Sequence, residues 1–165
     1  MLAMDRHLTV SGFDVHAGRV ALHWHRKNRM WLPAGGHIEA GEDPVEATLR
    51  EVEEEFALKA EVVPLAPRIT YNGGPAQIEP PFTILNCPVE PGHVHVDFVY
   101  FCRVVSGYPG RSHDPENPIV WLDAATLESG AFDLNGESVP FPPDVRALGI
   151  EAIRRVDAGI GAAVR

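Results

Sequence analysis

Three glutamates, Glu51, Glu54 and Glu55, stand three and four residues apart. On a helix turning about 100° per residue, with Glu51 as the reference, Glu54 and Glu55 fall within about 60° on either side. Like charges at these spacings destabilise a helix by ~0.2–0.5 kcal/mol per pair. A divalent cation would remove that cost. Carboxylate oxygens are hard donors that suit Mg²⁺ or Mn²⁺, ions that bind through a few carboxylates and share the oxygens of substrate phosphates. Glu53 points elsewhere, and Arg50 can reach Glu46 or Glu54 along the helix. Taken alone, the face reads sooner as an acidic surface in water, which charge runs usually are.

The elements that must position these acids are legible on both sides of them. Asp43 can cap a helix, Pro44 fits its first position, and Glu46 completes a capping-box spacing. Val45, Leu49, Val52 and Phe56 recur at helical spacing and predict one apolar stripe, with the helix ending near Ala57. Ahead of it, Ala34 to Glu42 predicts a loop, with glycines where the backbone turns tightly or approaches a ligand closely.

Loop and helix together resemble the Nudix box, G-x5-E-x7-R-E-U-x-E-E-x-G-U with U aliphatic. Its positions are filled by Gly36, Glu42, Arg50, Glu51, Val52, Glu54, Glu55, Ala57 and Leu58, and the single departure is Ala57 where the family has glycine. The box takes 23 residues of 165, and Trp31-Leu32-Pro33 before it also looks like the family. Fixed spacings over that length are far more specific than a lone glycine motif. The resemblance implies an α/β/α sandwich of the mixed α/β (α+β) class, with a mixed β-sheet between helices. It also implies hydrolysis of a phosphoanhydride bond in a nucleoside diphosphate linked to another moiety.

By the same resemblance, Glu51, Glu54 and Glu55 and the carbonyl of Gly36 would be metal ligands. Glu42 and Arg50 would hold the loop against the helix. The cofactor implied is Mg²⁺, with Mn²⁺ as the alternative. The family does not fix the general base to one residue: Glu54 or Glu55 could serve, or Asp114 or Glu116 from a later loop. The family glycine sits where a helix gives way to a loop in a left-handed conformation, so Ala57 costs on the order of 1 kcal/mol but removes no ligand. Two rivals stand beside hydrolysis: a Nudix-fold sensor that binds a nucleotide without cleaving it, and an acidic interaction domain without metal. The complete set of box acids argues against the sensor, and the interaction domain requires the box match to be chance.

Outside the box, Val-, Leu- and aromatic-rich runs predict strands over 7–15 and 19–25, joined by a turn at His16-Ala17-Gly18. Further strands are expected over 61–65, 82–87, 93–105 and 119–122, with loops over 69–81 and 107–118 and a second amphipathic helix over 142–156. Alternation places His93, His95 and Asp97 on one face of the long strand, where they could meet metal or substrate or form a polar sheet face. His23 and His25 share a face, opposite Trp24. His25 and Arg26 could meet a phosphate or base, and Tyr71 or Phe82 could stack on a ring. The substrate contacts expected are therefore His25, Arg26, His95, Asp97 and Glu116.

Net charge −9 excludes a generic nucleic-acid binder, which needs basic groups to displace counterions, and makes a polyanionic substrate plausible only with metal. The chain has the length and composition of one globular domain over 1–165, with 45% hydrophobic and 22% charged residues. Cys87 and Cys102 show no metal-binding spacing and are expected as buried free thiols. No signal sequence or apolar span is evident, so the expectation is a cytoplasmic protein acting on a small-molecule phosphoanhydride. Neither membrane nor nucleic-acid polymer is expected as a partner, and a homodimer is admitted by the habits of the family.

Overall fold

A computed structural model describes residues 5–107 and 117–157. Its centre is a mixed sheet. Strands β1 (Asp5–His16) and β7 (His93–Ser106) run parallel along eleven paired positions, from Asp5 opposite His93 to Val15 opposite Arg103. Every other pairing is antiparallel: β1 with β2 (Arg19–His25) and β4 (Ala34–His37), β2 with β3 (Met30–Leu32) and β8 (Ile119–Asp123), and β7 with β5 (Lys59–Val62) and β6 (Thr83–Glu90). A hairpin of β9 (Ala131–Leu134) and β10 (Glu137–Pro140) forms a separate two-stranded sheet.

Alternation along β1 divides the core between two layers. Phe13 and Val15 join Val99 and Phe101 of β7 under α3 (Pro143–Asp157), with α3 supplying Val145, Ala152, Ile153 and Val156. On the opposite face, α1 (Pro44–Phe56) packs Val52 and Phe56 against Ala21, Ala34, Leu58 and Val104. The arrangement is the α/β/α sandwich with a mixed sheet that the resemblance implies. Among the described residues, no helix is long and apolar enough to cross a membrane.

Three expectations are revised. The glycine-containing segment after Trp31 is not all loop: Ala34–His37 forms β4, because Thr9 to Gly12 of β1 offer it a ladder. A short helix α2 (Ala124–Glu128), capped by Asp123, and the β9–β10 hairpin occupy a stretch for which no element is predicted. The helix stripe is also rotated. Ala47, Thr48, Val52 and Phe56 are buried, while Val45 and Leu49 are only half-buried. Gly12 explains the rotation: a Cβ there would stand 3.0 Å from Val52 Cγ2 and 3.1 Å from Thr48 Cγ2, so the glycine lets α1 settle with this edge on the sheet.

Candidate active site

Helix α1 begins as its sequence dictates. The Asp43 carboxylate accepts from the Val45 and Glu46 N–H groups at 2.8 and 2.9 Å, and Glu46 accepts from the Asp43 N–H at 3.0 Å. Such a cap stabilises a helix by about 1 kcal/mol. The helix ends on Ala57, whose φ of 54° is left-handed and whose N–H donates to the Glu53 carbonyl. The alanine thus takes the conformation the family's glycine would take, without lengthening the helix.

The same rotation that buries Thr48 and Val52 separates the three box acids by environment. Glu54 is exposed, with 59% of its side chain accessible, whereas Glu51 and Glu55 are turned toward the sheet with 14% and 27% accessible. Glu55 Oε2 accepts from the Gly35 N–H at 2.9 Å. Burial, foremost, then the charges of Glu51 and Glu54, push its carboxyl up to about 7, although the Gly35 hydrogen bond opposes them.

Arg50 knits the loop to the helix. Its Nε and Nη2 donate to the two Glu42 oxygens at 2.7 and 3.0 Å, and Nη2 also donates to the His37 carbonyl at 3.0 Å. Nη1 donates to Glu51 at 2.8 Å and to Glu54 at 3.2 Å. The guanidinium on Glu42, with the Glu39 N–H behind it, holds that carboxyl below the usual range. Glu42, followed by Glu51, in turn raises the Arg50 pKa.

The two glycines of β4 leave room for close neighbours, Gly35 for fixed backbone and Gly36 for the Glu51 carboxylate. A Cβ on Gly36 would stand 2.3 Å from Glu51 Oε1, and one on Gly35 would stand 2.3 Å from the Val10 carbonyl oxygen. Strand and helix therefore approach so closely that Glu51 lies directly over the Gly36 backbone. This cradle, lined by hard carboxylate oxygens, fits a divalent cation of the Mg²⁺ class. Glu42, Arg50, Glu51, Glu54, Glu55 and Gly36 are thus brought together in one cluster.

Sequence reasoning passed over His23. Its ring stands 5.5 Å from that of Phe56, and its Nε2 is 3.9 Å from Glu55 Oε2. Burial, then the neighbouring His25, lowers its pKa to about 4, so at neutral pH this contact is no ion pair. Alternation already puts His23 and His25 on one face; which of them meets α1 depends on the strand–helix packing. His25 accepts the Asn28 N–H at 3.1 Å and holds the β2–β3 turn, on which Arg26 is exposed.

On the face of the sheet away from α1, the Asp97 carboxylate is buried and accepts from the Thr9 hydroxyl at 2.8 Å. His95 lies beside His7, His37 and His93, with its pKa lowered by burial first and then by those three rings. Phe82 stacks on Phe101 within the core, and Tyr71 donates to the Pro75 carbonyl of its own loop. Glu116 and Asp114 lie outside the described residues. The thiols are free as expected, Cys102 buried and Cys87 half-buried.

Comparison with known proteins agrees with this geometry. The NUDIX domain family matches residues 5–142. A NUDIX-family hydrolase from Clostridium perfringens superposes with a TM-score of 0.67 at 29% identity, over 91% of this chain and 97% of that one. A NUDIX hydrolase from Nitrosomonas europaea shares the fold with a TM-score of 0.61 at 19% identity, over 94% and 90%. A MutT NUDIX hydrolase from Burkholderia pseudomallei does so with a TM-score of 0.57 at 20% identity, over 92% and 98%. Comparison with curated protein sequences gives no match. The matched segment spans most of the chain and contains the whole cluster around Arg50, and the chain therefore belongs to the NUDIX family as a Nudix pyrophosphohydrolase.

Proposed function

We propose that the chain hydrolyses the phosphoanhydride bond of a nucleoside diphosphate linked to another moiety, using Mg²⁺ or Mn²⁺ held by Glu51, Glu54, Glu55 and the Gly36 carbonyl. The observation that carries this reading is the meeting of three carboxylates on Arg50, with Glu55 held beside them by the Gly35 N–H, against a strand whose Gly36 a Cβ would drive into Glu51. Hydrogen bonds among acids and one arginine would need no such close approach. When bound, the ion neutralises phosphate oxygens and lowers the pKa of a coordinated water.

The chain's own residues do the rest. Glu42 fixes the Arg50 fork, and Arg50 ties the His37 carbonyl to the helix, so the Gly35–His37 strand and α1 keep their spacing. The Gly35 N–H holds one Glu55 oxygen, which leaves the other free for the ion or for a proton. Glu55, raised to about 7 without an ion, would give up that proton as the ion arrives, and Glu54 or Glu55 would then serve as the base toward the attacking water.

A phosphate-release screen over a panel of nucleoside triphosphates, sugar nucleotides and dinucleoside polyphosphates, with Mg²⁺ or Mn²⁺, tests the proposal. Turnover of at least one class should depend on the metal and fall by orders of magnitude in Glu54→Gln and in Glu55→Gln. Wild-type rates in both variants would overturn the site assignment.

A further inference from the structure

Four histidines from three strands meet on the sheet face opposite the box helix. His7 on β1 and His95 on β7 are register partners, and His93 lies two residues before His95. His37 ends β4, opposite Thr9, which puts it beside His7. Ring centroids are 4.5 Å apart for His7 and His93, 5.0 Å for His93 and His95, and 5.0 Å for His37 and His95. One nitrogen from each of His7, His93 and His95 lies within 4.8 Å of the other two.

We propose that His7, His93 and His95 form a binding site for a divalent transition ion of the Zn²⁺ class, with His37 at its rim, separate from the acidic box. Neutral imidazole is a borderline donor that suits Zn²⁺, Co²⁺ or Ni²⁺, whereas Mg²⁺ prefers oxygen. Three histidines on a rigid support are a sufficient protein set for zinc, which leaves a fourth position for water or for His37.

The distances are within reach of such a site. Zinc–nitrogen bonds of about 2.0–2.1 Å set ligand nitrogens about 3.3 Å apart in a tetrahedron. His7 Nδ1 and His37 Nε2 are already 3.1 Å apart, and the His7, His93 and His95 nitrogens need only side-chain rotation to close from 4.8 Å or less. Because the residues sit on paired strands, their backbones hold position without a loop having to order.

Two further features belong to a coordinating set. The Nε2 of His93 is buried and has no hydrogen-bond partner, a cost that coordination would remove. A carboxylate also stands behind one ring: Asp5 Oδ2 is 3.2 Å from His7 Nε2, which leaves the His7 Nδ1 toward the cluster. Carboxylates in that place fix the tautomer and orientation of ligating imidazoles. A polar sheet face would explain exposed histidines, but it gives no reason for the unpartnered His93 nitrogen or for the convergence of three strands on one point.

Zn²⁺ binding to the full chain, followed by calorimetry and by the visible absorption of Co²⁺, tests the site in two backgrounds. A Glu51→Gln, Glu54→Gln, Glu55→Gln triple variant removes the box acids, and His93→Gln with His95→Gln, added to that variant, removes the imidazoles too. The box variant should bind one Zn²⁺ per chain, give tetrahedral Co²⁺ bands and keep the ion in excess Mg²⁺, and wild type should show the same bands beside whatever ion the box takes up. The combined variant should lose both signals. If it does not fold, His7→Gln, at a side chain 41% exposed, should still weaken Zn²⁺ by about 10- to 100-fold, the scale carried even by residues that only support a site. No Zn²⁺ bound by the box variant, or binding that survives loss of the histidines, would overturn the proposal. A box variant that binds Zn²⁺ but hydrolyses nothing would support it whatever the fate of the Mg²⁺ reading.

Discussion

Replacing Glu55 by glutamine should make the protein more stable and inactive at once. Burial and the charges of Glu51 and Glu54 lift this carboxyl from 4.5 to about 7 in the folded chain. The unfolded chain releases the proton near 4.5, so between those values the folded state holds a proton that the unfolded state has lost. The resulting stability is fully present below about pH 4.5 and is gone as pH rises through about 7. At about 1.4 kcal/mol for each tenfold change in acidity, ionised Glu55 costs about 3 kcal/mol at pH 8. With 27% of the side chain accessible to water, about 2 kcal/mol is the figure to expect.

Glutamine carries no charge at any pH, and its amide oxygen can still accept the Gly35 N–H. Urea titrations at a series of pH values from 4.5 to 8, in a chelating buffer so that no divalent cation compensates the acids, should show two curves that meet at the acid end. At pH 8 they should part by about 2 kcal/mol in favour of Glu55→Gln. In urea-free buffer with Mg²⁺ restored, phosphate release by the variant should fall by orders of magnitude relative to wild type. Parallel curves, or a variant less stable than wild type at pH 8, would refute the assignment of Glu55 as a strained, buried acid.

Gly36→Ala should lower turnover at least tenfold with an unchanged far-UV spectrum, because its Cβ would displace Glu51 from 2.3 Å away; wild-type turnover would show that Glu51 can move without consequence. Ala57→Gly should raise the urea midpoint at constant slope. It relieves a left-handed alanine at φ 54°, worth about 1–2 kcal/mol, against about 0.5–1 kcal/mol of extra chain entropy. A lower midpoint would mean that the left-handed cap is not strained. Asp14 is fully buried, both its oxygens lack partners, and burial raises its pKa well above 3.8. Stability from this group is therefore present at acid pH and lost as pH rises past the unfolded value. Asp14→Asn should flatten the loss of stability toward alkaline pH in melting curves, and an unchanged pH slope would count against it.

The sequence disclosed the box helix almost to the residue, because a cap, a proline and a period of 3.6 are local signals. Asp43, Pro44 and Ala57 act where their types predict. What it could not disclose was rotation. Whether Leu49 or Thr48 faces the sheet depends on Gly12, which lies far off in the chain and reveals its part only once β1 is beneath α1. That rotation decides which glutamate is exposed and which titrates near neutrality. The β4 strand was hidden in a glycine-rich loop for a related reason: its ladder is supplied by Thr9 to Gly12, so its own propensity had little to say. His7, His93 and His95 meet by the parallel pairing of β1 with β7, and His37 joins them by the antiparallel pairing of β4, registers that local periodicity cannot fix.

Arg50 is where the charge balance of the cluster is settled. Glu42, Glu51, Glu54 and Glu55 set four negative charges against one guanidinium, a net −3 when all are ionised and −2 when Glu55 holds its proton. A divalent ion and the Glu55 proton are therefore alternative answers to the same excess charge, so below about pH 7 binding the ion would release a proton. The contacts of Arg50 divide accordingly. Nε and Nη2 grip Glu42 and the His37 carbonyl, none of which is a proposed ligand, whereas Nη1 alone reaches Glu51 and Glu54, which are. An ion would compete only for Nη1. The fork on Glu42 would stay in place, so the loop would remain fastened to the helix while the two glutamates change partner. A lysine, with one compact charge and no fork, could neutralise the acids but could not hold the loop and yield the ligands at the same time.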